Sequence, residues 1–204
     1  KFVCWDDDKY KKKKLKNLTY NFDKFWLKKD KIDFIIISPG IDINKCNLKN
    51  YLKKNSNKII TDLDLFFEIN KKTNIIAITG TNGKSTTCKI LEKLLKTASY
   101  KVQTAGNIGK PILSLNKVKN RYFVVLEVSS YQLQYSKIFR SKYAAILNVS
   151  TDHLDRHKNM KNYVYTKSKI FFGQSSSDFS YINSTNKYSK SIVKLHKRKK
   201  LKSK

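Results

Sequence analysis

The 204-residue chain has room for one large domain or two small ones, and an apolar fraction of 40% supports a packed core and excludes wholesale disorder. A formal net charge of +29 resembles a nucleic-acid-binding surface, yet of 44 basic residues only Arg121, Arg140, Arg156 and Arg198 carry the fork that reads bases, so the charge reads mainly as compositional bias. Cys4, Cys46 and Cys88 form no C-x-x-C pair, which speaks against a zinc site or disulfide framework and fits a reducing, cytoplasmic setting, and no run of 18 apolar residues offers a membrane span.

In chain order, "KFVCW" predicts a short strand, followed by the acidic turn "DDD" and a lysine-rich segment. "KIDFIIISPG" predicts a buried strand ending in a tight Pro-Gly turn. "NKII" at 57–60 reads as another strand. "TDLDLFFEIN" reads as a helix opened by Thr61 or Asp62, with apolar positions 63, 65, 66 and 69. A second unit begins near Lys72: strand "NIIAIT", a helix from Ser85 to Lys96, strands "YKVQTA", "RYFVVLEVS" and "YAAILNVS", a helix from Asn159 to Phe172, and a further strand "DFSYIN". Strands alternating with helices at this spacing predict a parallel α/β sheet. The expected division is 1–71, 72–186 and a basic tail, 187–204, that reads as a fraying or truncated end. The chain opens at Lys1 without methionine, so the lack of a leader carries little weight.

Of six glycines, five lie in three short turns, each after a predicted strand: Gly40 in "SPG", Gly80 and Gly83 in "GTNG", Gly106 and Gly109 in "GNIG". Ligands of open α/β sheets sit at the carboxyl ends of strands, so these turns suggest one composite site. "GTNGKST" joins a strand to a helix that starts at a Lys-Ser pair. That is the physics of a phosphate cradle: loop amides and a helix N-terminus face the anion, Lys84 neutralises phosphate charge and Ser85 can hold Mg²⁺. The general pattern places a glycine where Ile78 stands, so an ordinary βα turn is the other reading. Glu127 ends a strongly apolar strand, where it either lies exposed or is buried beside a cation. "NVSTDHLDRH" clusters Asp152, His153, Asp155, Arg156 and His157, a metal-and-substrate loop or a capped turn. His153 is an unusual ligand for Mg²⁺, which prefers oxygen. No local rule selects Lys167.

"GTNGKST", "GNIG", "EVSSYQL", "NVSTDHLDRH" and "NYVYTKSKIF", in that order and spacing, resemble the Mur ligases, as do "SPGI" and "TDLDLF" upstream. The family uses a shorter phosphate loop, which accommodates Ile78. The resemblance implies a parallel-sheet N-terminal unit, an incomplete Rossmann-like domain that binds the UDP-substrate, followed by a P-loop ATPase-like central domain. It implies an ATP-dependent ligase of peptidoglycan precursor synthesis, most like the member that adds D-glutamate to UDP-MurNAc-L-alanine through an acyl phosphate. By the same resemblance Gly80, Thr81, Asn82, Gly83, Lys84, Ser85 and Thr86 hold ATP. Ser85 and Glu127 hold one Mg²⁺, and His153 and Lys167, the latter as a carbamate, serve a second. Lys84, Glu127, His153 and Lys167 make up the catalytic set. Asn107, Ser129 and Gln132 position the muramoyl part, and Ser38, Pro39 and Gly40 lie against the uridine diphosphate. The start of the N-terminal domain and the C-terminal domain are expected to be missing, leaving an isolated fragment that does not ligate. Two other readings compete: a basic P-loop module that sticks to nucleic acid, and an inactive ligase remnant. The ligase reading expects no specific nucleic acid and no membrane insertion.

Overall fold

The computed structural model describes residues 3–8, 10, 11, 20, 21, 32–107, 109–115 and 122–204. They fall into two units, Lys1–Ile59 and Ile60–Lys204. Most of the lysine-rich segment lies outside the described residues.

In the first unit β1 (Val3–Cys4) pairs in parallel with β2 (Tyr20–Asn21). The acidic turn forms as expected: Asp6 Oδ1 accepts the Asp8 N–H at 2.9 Å, and Asp7 accepts the Asn47 N–H at 3.0 Å. The long buried strand does not. β3 is only Ile35–Ile36, in a two-stranded sheet with β4 (Ile59–Ile60), where the unit ends. Ile37 is buried, while Phe34 and Ile36 are 68% and 52% exposed. A ribbon of two-residue strands has no second layer to cover both faces of an isoleucine run. The Ser38–Gly40 turn is closed by Ile41 N–H donating to Ser38 O at 3.0 Å. Helix α1 (Lys49–Lys54) follows and buries Leu52.

The second unit opens with α2 (Asp62–Ile69), capped by Thr61. Asp64 is fully buried, and its carboxylate accepts Thr61 N–H, Ser136 Oγ–H and the N–H groups of Lys137, Ile138 and Phe139, all between 2.8 and 3.2 Å. That many donors make a buried anion tolerable and tie α2 to the loop at 136–139. Leu63 and Phe66 enter this unit's core, so the structural division precedes α2 rather than following residue 71. Ile69, an expected apolar contact, is 68% exposed.

Five parallel strands make the central sheet: β5 (Asn74–Thr79), β6 (Val102–Gly106), β7 (Phe123–Glu127), β8 (Tyr143–Ile146) and β9 (Phe179–Ile182). Their spatial order is β6-β7-β5-β8-β9. The two-residue alternation of a strand sends Ile75, Ala77, Val124 and Leu126 into the core on one face. Ile78 and Val125 go to the other, under Cys88, Leu91 and Leu95 of α3 (Lys84–Thr97). The first face is covered by α4 (Ser130–Tyr135), by α6 (Met160–Ser168) and by α7 (Ser189–Arg198), through Leu133, Tyr163, Val164 and Ile192. Burial on both sides is why β5 and β7 read as continuous apolar runs. The predicted helix to Phe172 ends earlier, at Ser168, and passes into a 3-10 turn, Lys169–Phe171.

The tail is not a fraying end. Residues 189–198 form a helix whose Ile192 is 1% exposed, and Tyr188, Leu195 and Leu201 pack on the same core. Tyr188, Ile192 and Leu195 follow helical spacing, which the surrounding lysines mask, and Leu201 lies beyond the helix. Lys204 N–H donates to Asp178 O at 2.9 Å and Ser180 N–H to Lys204 O at 2.7 Å, which fastens the last residues to β9.

The chain runs from β5 outward to β6 on one side, while β8 and β9 lie on the other. The strand order therefore reverses beside β5, and the carboxyl ends of the strands at such a reversal are where open α/β sheets bind ligands.

Candidate active site

β5 ends in Gly80, and the turn to α3 passes through Gly83, which has φ +80° and caps the helix in the left-handed region. The first turn of α3 carries N–H groups that have no intrahelical partner, with no side chain capping them. Lys84 folds back on the loop: its Nζ donates to Gly80 O at 3.0 Å and to Thr81 O at 2.9 Å. The phosphate-cradle reading therefore has its strand, its turn and its helix start in place. A lone βα turn does not account for the second lysine that meets it.

That lysine is Lys167. It is 2% exposed, and its Nζ donates to the same Gly80 O at 2.8 Å, across 87 residues of sequence. Its Nζ also lies 4.7 Å from the centre of the Tyr163 ring. Burial, and then the nearby Lys84 charge, push its pKa down to about 7, with Asp152 opposing. Lys167 is thus available as a free amine at neutral pH, as ordinary lysines are not.

Glu127 is buried at 3% exposure, which rules out the exposed-end alternative. Asn107 donates from Nδ2 to Glu127 Oε1 at 3.2 Å, and its N–H donates to Glu127 O at 2.8 Å. Gly106 makes this approach possible. It has φ +123°, and a Cβ there would sit 2.1 Å from Glu127 O. Glu127 and Ser85 line one cavity of about 410 Å³ with Cys88, Gln103, Thr104 and Lys110. Burial, then the Glu127 charge, push the Cys88 thiol up to about 12, so it stays protonated.

The acidic-basic loop after β8 divides its labour. His153, exposed and at φ 51°, precedes α5 (Leu154–His157), with Nε2 3.3 Å from Asp152 Oδ2 and its ring 5.0 Å from Tyr131. His157 is buried, its Nε2 is 3.0 Å from Ser130 Oγ, and burial pushes its pKa down to about 4. It is a neutral packing histidine between Tyr131 and Tyr163. Arg156 donates to Gln134 Oε1 at 2.7 Å and lies over Tyr131.

The structure therefore brings Gly80–Thr86, Asn107, Glu127 and Lys167 together at one end of the sheet. Ser129 and Gln132 engage each other as a capping box of α4, and Gln132 Nε2 also donates to Asp62 at 3.1 Å. Ser38–Gly40 lies in the first unit. Ser85 and Glu127 offer the oxygen donors a hard cation prefers, and so fit Mg²⁺. His153 and Lys167 as they stand do not, since an amine supplies no oxygen; a carbamate on Lys167 would. Among the described residues no group of three His, Cys, Asp or Glu side chains is placed to hold a metal ion. Sequence reasoning passed over Asn148, whose side-chain amide bonds the backbone of Thr81 and Asn82. Its signals are its position after β8 and its place at the head of the "NVSTDHLDRH" run.

Residues 78–204 match the Mur ligase middle domain. The UDP-N-acetylmuramoylalanine–D-glutamate ligase of Rickettsia bellii is 44% identical over 163 residues, covering 79% of this chain and 35% of that protein. The enzyme of the same name from Clostridioides difficile is 38% identical over 167 residues, covering 80% and 36%. The chain thus spans about a third of the length of the curated relatives it matches. Among solved structures, UDP-N-acetylmuramate:L-alanyl-gamma-D-glutamyl-meso-diaminopimelate ligase from Neisseria meningitides shares the fold with a TM-score of 0.57 at 16% identity, over 90% of this chain and 63% of that one. E. coli FolC in complex with DHPP and ADP does so at 0.51 and 16%, over 88% and 50%. Among the described residues no helix is long and apolar enough to cross a membrane.

Proposed function

The chain belongs to the Mur ligase family, and from that premise we propose that it forms the nucleotide-binding part of an ATP-dependent ligase that adds D-glutamate to UDP-MurNAc-L-alanine in peptidoglycan precursor synthesis. The observation that carries this reading is the convergence of Lys84 and Lys167 on one carbonyl, Gly80 O, at the start of a phosphate-loop helix. The names of the 44% and 38% identical relatives support the choice of substrates.

The first-turn amides of α3 and the Lys84 ammonium hold the phosphates of ATP, which draws Lys84 off its two carbonyls. Ser85 and Glu127 hold Mg²⁺, with Asn107 orienting the Glu127 carboxylate. When bound, Mg²⁺ offsets the charge of the transferring phosphoryl group. A carbamate on Lys167 would supply oxygens which, with His153, would serve a second Mg²⁺. Asn107, Ser129 and Gln132 keep the muramoyl part in place, and Ser38–Gly40 contacts the uridine diphosphate. The substrate carboxylate takes the γ-phosphoryl group and ADP leaves. The amine of D-glutamate then attacks the acyl carbonyl and phosphate departs. The protein's contribution is positioning and charge neutralisation. A reaction that consumes ATP and a UDP-linked sugar belongs in the cytoplasm.

The test is a segment exchange. The matching third of the Rickettsia bellii ligase is replaced by residues 32–204 of this chain, and product is followed by mass. The expected result is ATP-dependent addition of D-glutamate and not of other amino acids. An exchanged enzyme that folds and binds Mg-ATP but forms no product would sink the proposal.

A further inference from the structure

We infer that Asn148 is a positioning residue that latches the phosphate loop to the loop after β8 and decides which backbone amides face the nucleotide. This rests on the reading that the loop at 80–86 holds phosphates. Asn148 Oδ1 accepts the Thr81 N–H at 3.1 Å and the Asn82 N–H at 2.9 Å, and its Nδ2 donates to Asn82 O at 3.0 Å. The Thr81 N–H also reaches Asn148 O at 3.0 Å, and Leu147 N–H donates to Thr79 O at 2.9 Å, so the contact extends the β5–β8 pairing. Beyond it, Ser150 N–H donates to Thr81 Oγ1 at 3.0 Å, and Thr81 Oγ1 lies 3.4 Å from the Tyr163 hydroxyl. Gly80 permits the close approach: a Cβ there would come within 3.2 Å of Leu147 Cβ and 3.5 Å of Asn148 N.

An anion cradle works by aiming successive N–H groups at one point. Here the amides of Thr81 and Asn82 are already spent on a protein oxygen fixed by a strand. The donors left for phosphate are those from Gly83 into the first turn of α3. Asparagine suits the task because it accepts and donates from one planar group. An aspartate in its place keeps the acceptor, loses the bond to Asn82 O and sets a negative charge beside the phosphates. An alanine loses all three side-chain bonds. The latch also ties the phosphate loop to the segment that carries Asp152 and His153, so the two ends of the site keep one geometry before ligand arrives, which lowers the ordering cost of binding.

The test uses the 204-residue chain with Asn148→Ala and Asn148→Asp. Amide hydrogen exchange without nucleotide reads the latch, with the Asn82 N–H as reporter because Thr81 keeps a backbone acceptor. Titration with Mg-ATP and Mg-ADP reads its consequence. In Asn148→Ala, Asn82 protection should be lost and Mg-ATP should bind about tenfold more weakly, the scale set by a few part-exposed hydrogen bonds. In Asn148→Asp, Asn82 protection should persist, while affinity falls more for ATP than for ADP and recovers with salt, which a purely structural role would not produce. A folded Asn148→Ala chain with a protected Asn82 amide, or with unchanged affinity, overturns the inference. Should that variant not fold, loss of Asn82 protection in Asn148→Asp overturns it instead. A parent chain that binds no Mg-ATP overturns the phosphate-loop reading itself, a different failure visible without any variant.

Discussion

Replacing Lys84 by alanine should weaken Mg-ATP binding by roughly tenfold to a hundredfold and leave the fold intact. The lower bound follows from losing one charge-assisted bond to phosphate, about 1.5–3 kcal/mol, with each 1.4 kcal/mol worth about a factor of ten. The fold should survive because the Lys84 ammonium serves only loop carbonyls. Gly80 O keeps its bond from Lys167, so of the two carbonyls only Thr81 O, at a half-buried residue, loses the Lys84 donor. Calorimetric titration of parent and variant, with thermal unfolding as control, reads both halves of the expectation. Equal affinities would remove Lys84 from the site. Equal loss of affinity for adenosine would show that the effect is not on phosphate.

The second large effect concerns Lys167. In the segment-exchanged ligase, Lys167→Ala should lower turnover by about a hundredfold or more, the scale of losing one preorganised charge-stabilising group. Activity of the unmutated exchange should depend on dissolved CO₂. A lysine captures CO₂ through its free amine: the nitrogen lone pair forms the C–N bond, one proton leaves, and a carboxylate results. With its pKa pushed down from 10.5 to about 7, half or more of the amine is free at and above neutral pH. As pH falls below about 7 and protonation takes the lone pair away, activity should accordingly fall and more CO₂ should be needed to restore it. One N–H survives in the carbamate and can keep the bond to Gly80 O. A short-chain carboxylate should partly rescue the alanine variant by filling the vacated space with two oxygens. Full activity in that variant would exclude Lys167 from the mechanism.

What the sequence conveyed depended on how local each feature is. β5, β7 and the turn into α3 were legible because burial on both faces makes continuous apolar runs, and a Gly-Lys-Ser turn has few structural uses. The start of α2 was readable only to Thr61 or Asp62, and the reciprocal bonds between Thr61 and Asp64 place the cap at Thr61. The isoleucine run at 35–37 misled, because apolar character predicts burial only where a second layer exists. Tyr188, Ile192 and Leu195 were hidden by lysines, although their spacing is helical. Lys167 could be singled out only through resemblance, since its meaning lies in a carbonyl 87 residues away. Asn148 opens the "NVSTDHLDRH" run that carries part of the resemblance, yet nothing local gives it a role: an asparagine after a strand reads as a turn residue, and its three bonds exist only once β8 lies beside β5. Distant pairs of this kind are set by topology, which local patterns do not carry.

The most direct measurement is amide NMR of the 204-residue chain titrated with millimolar Mg-ATP, and separately with AMP and with ATP in the presence of a chelator. Binding by loop amides, Lys84, Ser85 and Glu127 predicts Mg²⁺-dependent shifts at Gly83, Lys84, Ser85, Thr86 and Glu127 with ATP, and little change with AMP, which lacks the β- and γ-phosphates. Shifts of equal size with AMP, or shifts confined to residues away from this loop, would contradict the account.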